Sequence, residues 1–148
     1  MRKKKSLAQT PRLERELIEP VTRYLRSIGC HVVVPEVRFF DRGIDIYAVK
    51  QARPRITFAV ELKLTKWQRA IQQAAIYQLC ADYSFVALPK KSALSLDLHR
   101  FRTCGVGLLS VAPDGTVGCV LDAAKSTEKR SHYAKAMTTS AERESLHA

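Results

Sequence analysis

The stretch FAVELKL, residues 58–64, lies within a strand predicted over residues 55–64, and it decides both the fold and the candidate site. Successive side chains of a β-strand point to opposite faces, so Glu61 and Lys63 share one face and the apolar residues beside them share the other. Burying charged groups without partners is unfavourable. A charged pair on so apolar a strand therefore indicates either a functional site or an ion pair on an exposed face.

A second acid occupies the same kind of position on the preceding predicted strand. This strand is GIDIYAVK, residues 43–50, in which Asp45 stands between two isoleucines. If the two strands pair, Asp45 and Glu61 converge on one site with Lys63 beside them. Two adjacent carboxylates raise the pKa of one of them unless a cation lies between them. Oxygen ligands suit Mg²⁺ or Mn²⁺, which complete their coordination with water and substrate phosphate.

The surrounding pattern predicts a mixed α/β fold. An amphipathic helix over residues 12–28, kinked at Pro20, precedes a strand over 30–39 in which Pro35 marks an edge or a bulge. The elements predicted after the central strand are a helix over 66–82, a strand over 83–89, a shorter helix over 92–105, and a hairpin that turns at Asp114-Gly115. A helix between neighbouring strands implies a parallel crossover, so we expect a mixed central sheet flanked by helices.

The length and the charge distribution indicate one domain with basic ends. A chain of 148 residues is sufficient for a single core. We expect a basic flexible N-terminus over residues 1–11 and a folded domain over 12–122. Residues 123–148 contain few large apolar side chains, which is typical of a flexible or marginally helical tail.

The charge balance favours a polyanionic partner. Lys and Arg number 25 against 14 Asp and Glu, a net charge of +11 with a pI of about 9.8. The four cysteines are scattered without metal-ligand spacing, which is typical of a reduced cytoplasmic protein. We expect no membrane partner, because no run of about 18 apolar residues occurs. The N-terminal cluster Arg2, Lys3, Lys4 and Lys5 is either a solvated chain end or a set of phosphate contacts.

The residues now carry a resemblance to a known family. Asp45, followed after fifteen residues by Glu61-Leu62-Lys63 within the order α-β-β-β-α-β over residues 12–90, resembles the PD-(D/E)XK nuclease superfamily. This superfamily includes restriction endonucleases and archaeal-type Holliday junction resolvases. The resemblance implies a restriction-endonuclease-like core, Mg²⁺ or Mn²⁺ held by Asp45 and Glu61, a water positioned by Lys63, and DNA as the substrate.

The same resemblance adds two candidate catalytic residues. Many members carry a glutamate on the first helix, and the segment ERELIEPVTRYLRSIG is similar to that helix in junction resolvases and in an uncharacterised nuclease-like family. Glu14 is the best match, with Glu16 and Glu19 as alternatives. Gln73 in AIQQA matches a glutamine near the site on the helix after E-x-K; it is equally well explained as a surface glutamine. Strand placement favours Asp45 over the nearby Asp41.

Three functional hypotheses follow. The first is a divalent-metal-dependent nuclease that hydrolyses DNA, for which cleavage of both strands favours a homodimer. The second is a nucleic-acid-binding module that keeps the same fold but does not cut. The third is an interaction protein in which Glu61 and Lys63 form an exposed ion pair.

Overall fold

The computed structural model describes residues 11–146, which contain a six-stranded sheet in the order β1-β2-β3-β4-β5-β6. The strands are β1 Cys30–Phe39, β2 Arg42–Lys50, β3 Ile56–Leu62, β4 Tyr83–Pro89, β5 Gly107–Val111 and β6 Val117–Leu121. The pairs β3–β4 and β4–β5 are parallel and the other three pairs are antiparallel. The predicted mixed α/β architecture is thereby confirmed.

Helices cover both faces of the sheet. They are α1 Ile18–Ser27, α2 Trp67–Ile76, α3 Lys90–Ala93, α4 His99–Cys104 and α5 Ser131–Leu146, with 3₁₀ turns at Glu14–Leu17 and Tyr77–Leu79. Apolar residues of α1 pack on one face, and those of α2, α4 and α5 pack on the other. Among the helices of residues 11–146, none is both long and apolar enough to cross a membrane.

Alternation along the central strands divides the core between the two faces. Val60 and Leu62 of β3 pack with α1, whereas Ala59 belongs to the opposite face. On β4, Ala87 faces the α1 side and Val86 faces α2 and α4. Glu61 follows the parity of Ala59 and therefore lies on the face opposite α1.

The first helix and the first strand depart little from the sequence expectation. Pro35 lies on β1, an edge strand, as its missing backbone donor predicts. Pro20 does not kink a long helix, because it lies in the first turn of α1, where backbone N–H groups have no helical partner. The irregularity comes earlier, where the 3₁₀ turn Glu14–Leu17 leads directly into α1.

The segment predicted as one helix over 92–105 differs from the structure. It is divided between α3, which ends at Ala93, and α4, which begins at His99. The side chain of Asp97 accepts a hydrogen bond from the backbone N–H of His99 at 3.0 Å. An aspartate in this position favours a new helix start over continuation of the preceding one.

The C-terminal segment is more ordered than its composition indicates. Residues 123–148 were predicted to form a flexible or marginally helical tail, and the helical alternative agrees with α5, which spans Ser131–Leu146. Its buried residues Met137, Thr138 and Ala141 pack against the edge of the sheet at β1.

Candidate active site

The candidate site forms where β2 separates from β3. The two strands stay paired up to Ile46 and Val60, and beyond this point β2 continues to pair with β1. Asp45 directly precedes Ile46 and is therefore the β2 residue nearest to this separation that has no partner on β3. Its Oδ2 accepts a hydrogen bond from the backbone N–H of Leu62 at 2.8 Å. The carboxylate thus satisfies a donor that lacks a strand partner, and this bond holds Asp45 beside the end of β3.

Glu61 is buried at this end of the strand, with 6% of its surface exposed. The hydroxyl of Tyr77, in the 3₁₀ turn after α2, donates a hydrogen bond to Glu61 Oε1 at 2.8 Å. A buried glutamate that accepts from a tyrosine is not part of a solvated ion pair. The interpretation of Glu61 and Lys63 as an exposed cross-strand pair is therefore wrong.

The two carboxylates destabilise each other's charge. Burial raises the pKa of Glu61 to about 8, and the negative charge of Asp45 contributes in the same direction. The Tyr77 hydrogen bond and the charge of Lys63 oppose this shift without cancelling it. Burial also raises the pKa of Asp45, although the Leu62 N–H favours its ionised form. At neutral pH Glu61 therefore holds its proton in the protein alone, and both carboxylates are ionised together only where a cation or a higher pH favours the charged forms.

Lys63 and Glu14 complete the cluster. Lys63 directly follows β3, and its Nζ lies 3.8 Å from Glu14 Oε2. The alternative acids of the same segment are engaged elsewhere. Glu16 accepts backbone N–H groups of its own turn, and Glu19 pairs with Arg23 at 3.2 Å. Of the three acids, Glu14 is the one that the structure brings to Lys63.

The remaining predicted residues lie in different places. Gln73 is on α2, four residues before Tyr77 and therefore on the same helix face. Its Oε1 is buried and has no hydrogen-bond partner within the part of the chain that the structure describes. Asp41 is exposed at the turn between β1 and β2. Arg2 and Lys3–Lys5 lie outside the described residues.

Two neighbours of the site were not anticipated. Tyr77 was missed, although its position four residues after Gln73 is the helical spacing that places both on one face. Glu36 lies opposite Asp45 across the β1–β2 ladder, at a left-handed φ of 55°. It lines a cavity of about 180 Å³, whose walls are Glu14, Arg15, Ile18, Glu36, Asp45 and Leu62. No periodic signal in the sequence marks Glu36.

The donor set fits a weakly caged Mg²⁺ or Mn²⁺ ion. Within residues 11–146, no group of three or more His, Cys, Asp or Glu side chains is arranged to hold a metal by itself. A dedicated protein cage is not required, because Mg²⁺ is commonly bound by one or two carboxylates together with water and substrate phosphate. Asp45 and Glu61 are oxygen donors whose raised pKa values a cation between them would lower.

Fold and site together define a mixed α/β protein in which the buried Glu61 and the half-buried Asp45 lie near a lysine. Comparison with known proteins identifies this class no further. A solved structure described as the SPO1766 protein of unknown function from Silicibacter pomeroyi matches with a TM-score of 0.71 and 19% identity, over 90% of this chain and 86% of that chain. At this identity, the match shows a shared fold alone. No family model and no curated protein matches the sequence.

Proposed function

We propose that this protein is a divalent-metal-dependent nuclease that hydrolyses DNA phosphodiester bonds. The observation that carries the proposal is the placement of Asp45 beside the buried Glu61, near Lys63, with the pKa of Glu61 raised to about 8 and Lys63 Nζ 3.8 Å from Glu14 Oε2. Uncompensated buried acids are unfavourable for stability. A chain that contains them beside a lysine, with a net charge of +11, has the composition expected of a phosphodiester hydrolase.

Each residue has a distinct proposed role. Asp45 and Glu61 hold the ion, which when bound polarises the phosphoryl group and stabilises the charge that develops on it. Lys63 presents its ammonium group to the attacking water or to a phosphoryl oxygen. Glu14 orients Lys63 through the 3.8 Å contact, and Tyr77 orients Glu61 through its hydroxyl.

The choice of substrate rests on separate grounds. The positive net charge favours a polyanion of either kind, DNA or RNA. DNA is proposed because the motif resembles that of DNA-cleaving enzymes. A homodimer is part of the proposal where both strands of a duplex are cut, since each site serves one strand.

A cleavage screen over linear, nicked, flapped and four-way DNA, with Mg²⁺, Mn²⁺ or EDTA, tests the proposal. We expect metal-dependent cutting that Asp45→Asn, Glu61→Gln and Lys63→Met each reduce by about 100- to 1,000-fold. Glu19→Gln is the matched control, because Glu19 is exposed and pairs with Arg23 away from the site. Cleavage at the wild-type rate in all three site variants contradicts the assignment. Salt-sensitive DNA binding without cleavage instead identifies a binding module that does not cut.

A further inference from the structure

The turn between β1 and β2 presents an aromatic surface to solvent. Phe40 is 64% exposed. It is the first residue of the two-residue turn Phe40-Asp41, which the paired residues Phe39 and Arg42 close. Its ring centroid lies 4.7 Å from that of Phe39 and 5.2 Å from that of Tyr133 on α5, the latter in an edge-on arrangement. The three rings form one cluster, which we call the aromatic tip.

Folding does not require phenylalanine at this position. Phe40 has a left-handed φ of 58°, which is unfavourable for a bulky side chain. Two-residue hairpin turns normally place glycine or asparagine where φ is positive. The backbone is therefore less stable with phenylalanine than with glycine, and the exposed ring contributes little burial in return. Strain of this kind is typical of positions whose side chain acts at the surface.

The surroundings of the aromatic tip are positively charged. Arg38 lines, with Phe40 and Tyr133, a surface depression of about 220 Å³. Arg42 closes the turn and lies 3.9 Å from Asp41, the exposed acid at the second turn position, and Arg130 lies directly before α5. Neither Arg38 nor Arg130 forms an ion pair with any residue from 11 to 146. The exposed ring of Phe40, with guanidinium groups nearby, matches the chemistry of nucleobases attached to phosphates.

The aromatic tip is connected to the candidate active site through Tyr77. The Tyr77 hydroxyl lies 2.8 Å from Glu61 Oε1 and 3.4 Å from the carbonyl oxygen of Gly43. Gly43 is three residues from Phe40 along the hairpin, so their Cα atoms lie at most about 10 Å apart. A nucleotide held at Phe40 would therefore lie within a few nucleotides of Glu61.

We infer that the aromatic tip stacks on an unpaired base of the nucleic acid whose backbone enters the carboxylate site. The inference rests on the proposed nuclease function and narrows its substrate class to DNA with a single-stranded or unpaired stretch beside the cleavage point. Paired bases in a continuous duplex are stacked on their neighbours and do not offer a face to Phe40. Unpaired bases do, and any of the four bases can stack on an aromatic ring.

A binding experiment with the full chain tests this inference. The probes are a fluorescein-labelled single-stranded oligothymidine and a fluorescein-labelled duplex of the same length. Binding is measured by fluorescence anisotropy in EDTA, so that neither probe is cut. We expect tighter binding of the single strand, weakened roughly 5- to 150-fold by Phe40→Gly, which is the range for one base–aromatic stack. Phe40→Trp retains binding. Leu94→Ser is the control, since Leu94 is 61% exposed at a different place on the surface.

In Phe40→Gly, a loss of DNA binding can be distinguished from a loss of folding. Because glycine relieves the positive φ, the melting temperature of Phe40→Gly is expected to equal or exceed that of the wild type. Wild-type affinity of Phe40→Gly for the single strand overturns the inference, and so does a preference of the wild type for duplex. A change in oligomeric state in place of weaker DNA binding also overturns it, because the aromatic tip is then an interface between copies.

Failure of this inference is distinguishable from failure of the proposed nuclease function. If metal-dependent cleavage depends on Glu61 but Phe40→Gly cuts single-stranded and duplex DNA as the wild type does, the nuclease stands and the stacking role is overturned. If Phe40-dependent binding of the single strand is found without any cleavage, the stacking role stands and the nuclease proposal is overturned.

Discussion

Two buried carboxylates, that of Asp82 directly before β4 and that of Glu61 on β3, have opposite surroundings. Asp82, directly before β4, is 3% exposed. It accepts hydrogen bonds from the backbone N–H and the hydroxyl of Thr57 at 2.8 and 3.1 Å. Lys129 Nζ lies 2.7 Å from its second oxygen. One acid thus meets one cation and two further donors, all supplied by the chain.

The Glu61 centre has the reverse balance. Here the charges of Glu61 and Asp45 are opposed by one nearby lysine, Lys63, whose Nζ lies 3.8 Å from a third acid, Glu14, and burial leaves the pKa of Glu61 at about 8. The charge of Asp82 is thus balanced by residues of the chain itself, whereas the charges of Asp45 and Glu61 require a cation that the chain does not supply. Removing the first should destabilise the protein, whereas neutralising the second should stabilise it and abolish its activity.

The largest expected effect on stability is that of Asp82→Ala. This variant removes the carboxylate from Thr57 and Lys129 and leaves a buried N–H without its acceptor. We expect a loss of about 3 kcal/mol in the free energy of unfolding, measured by urea denaturation. Asp41→Ala, at an exposed turn position, should change it by less than about 0.5 kcal/mol. An Asp82→Ala protein as stable as the wild type would remove the basis of the comparison.

Glu61→Gln is expected to stabilise the protein at high pH. The pKa of Glu61 rises from an ordinary 4.5 to about 8 on folding. The folded state therefore binds this proton more tightly, so stability is greatest below the lower value and is lost as pH rises through the window up to about 8. In EDTA, glutamine should match the wild type near pH 5 and exceed it near pH 9, with the difference growing by up to about 1.4 kcal/mol for each pH unit in this window. Equal stability at both pH values contradicts the assigned pKa.

Tyr77→Phe should change the free energy of unfolding by a smaller amount and in the opposite direction, towards lower stability at high pH. Loss of the hydroxyl raises the pKa of Glu61 further and destabilises its ionised form. We expect a loss of about 1–2 kcal/mol near pH 9 and less near pH 5. Tyr47→Phe is the matched control, because the buried Tyr47 hydroxyl donates to the Cys80 carbonyl, which does not titrate. The stability lost in Tyr47→Phe should be the same at pH 5 and at pH 9.

Glu14→Gln should have the smallest effect on stability. Its contact with Lys63 is long and half-exposed, so we expect a change below about 0.5 kcal/mol. The charge of Glu14 raises the pKa values of Asp45 and Glu61, and its removal should therefore reduce the stability lost at high pH. Glu19→Gln, one turn further along the segment, should leave that pH dependence unchanged.

The sequence predicted those parts of the site that follow from alternation along neighbouring strands. Asp45 and Glu61 are acids among apolar strand residues, and the structure places them together at the end of β3. The hydrogen bond from Leu62 to Asp45 could not be predicted, because it depends on the residue at which β2 leaves β3. Tyr77 could have been identified from its helical spacing to Gln73.

The Asp82 centre was not predictable for a different reason. Lys129 is separated from Asp82 by 47 positions in the chain and belongs to a segment without strong periodicity. Helix α5 is held by only a few buried residues, which are Met137, Thr138 and Ala141. Its order therefore depends on a tertiary contact with β1, which composition alone does not reveal.

The most direct test of the central claim, that the Glu61 centre needs an external cation, is the thermal stabilisation produced by Mn²⁺ as a function of pH. Because Glu61 must lose its proton when the ion binds, the rise in melting temperature should grow as pH increases towards about 8. An Asp45→Asn/Glu61→Gln double variant should show none of this rise, whereas Asp41→Asn should behave as the wild type. An equal Mn²⁺ effect in the double variant and the wild type would contradict the account.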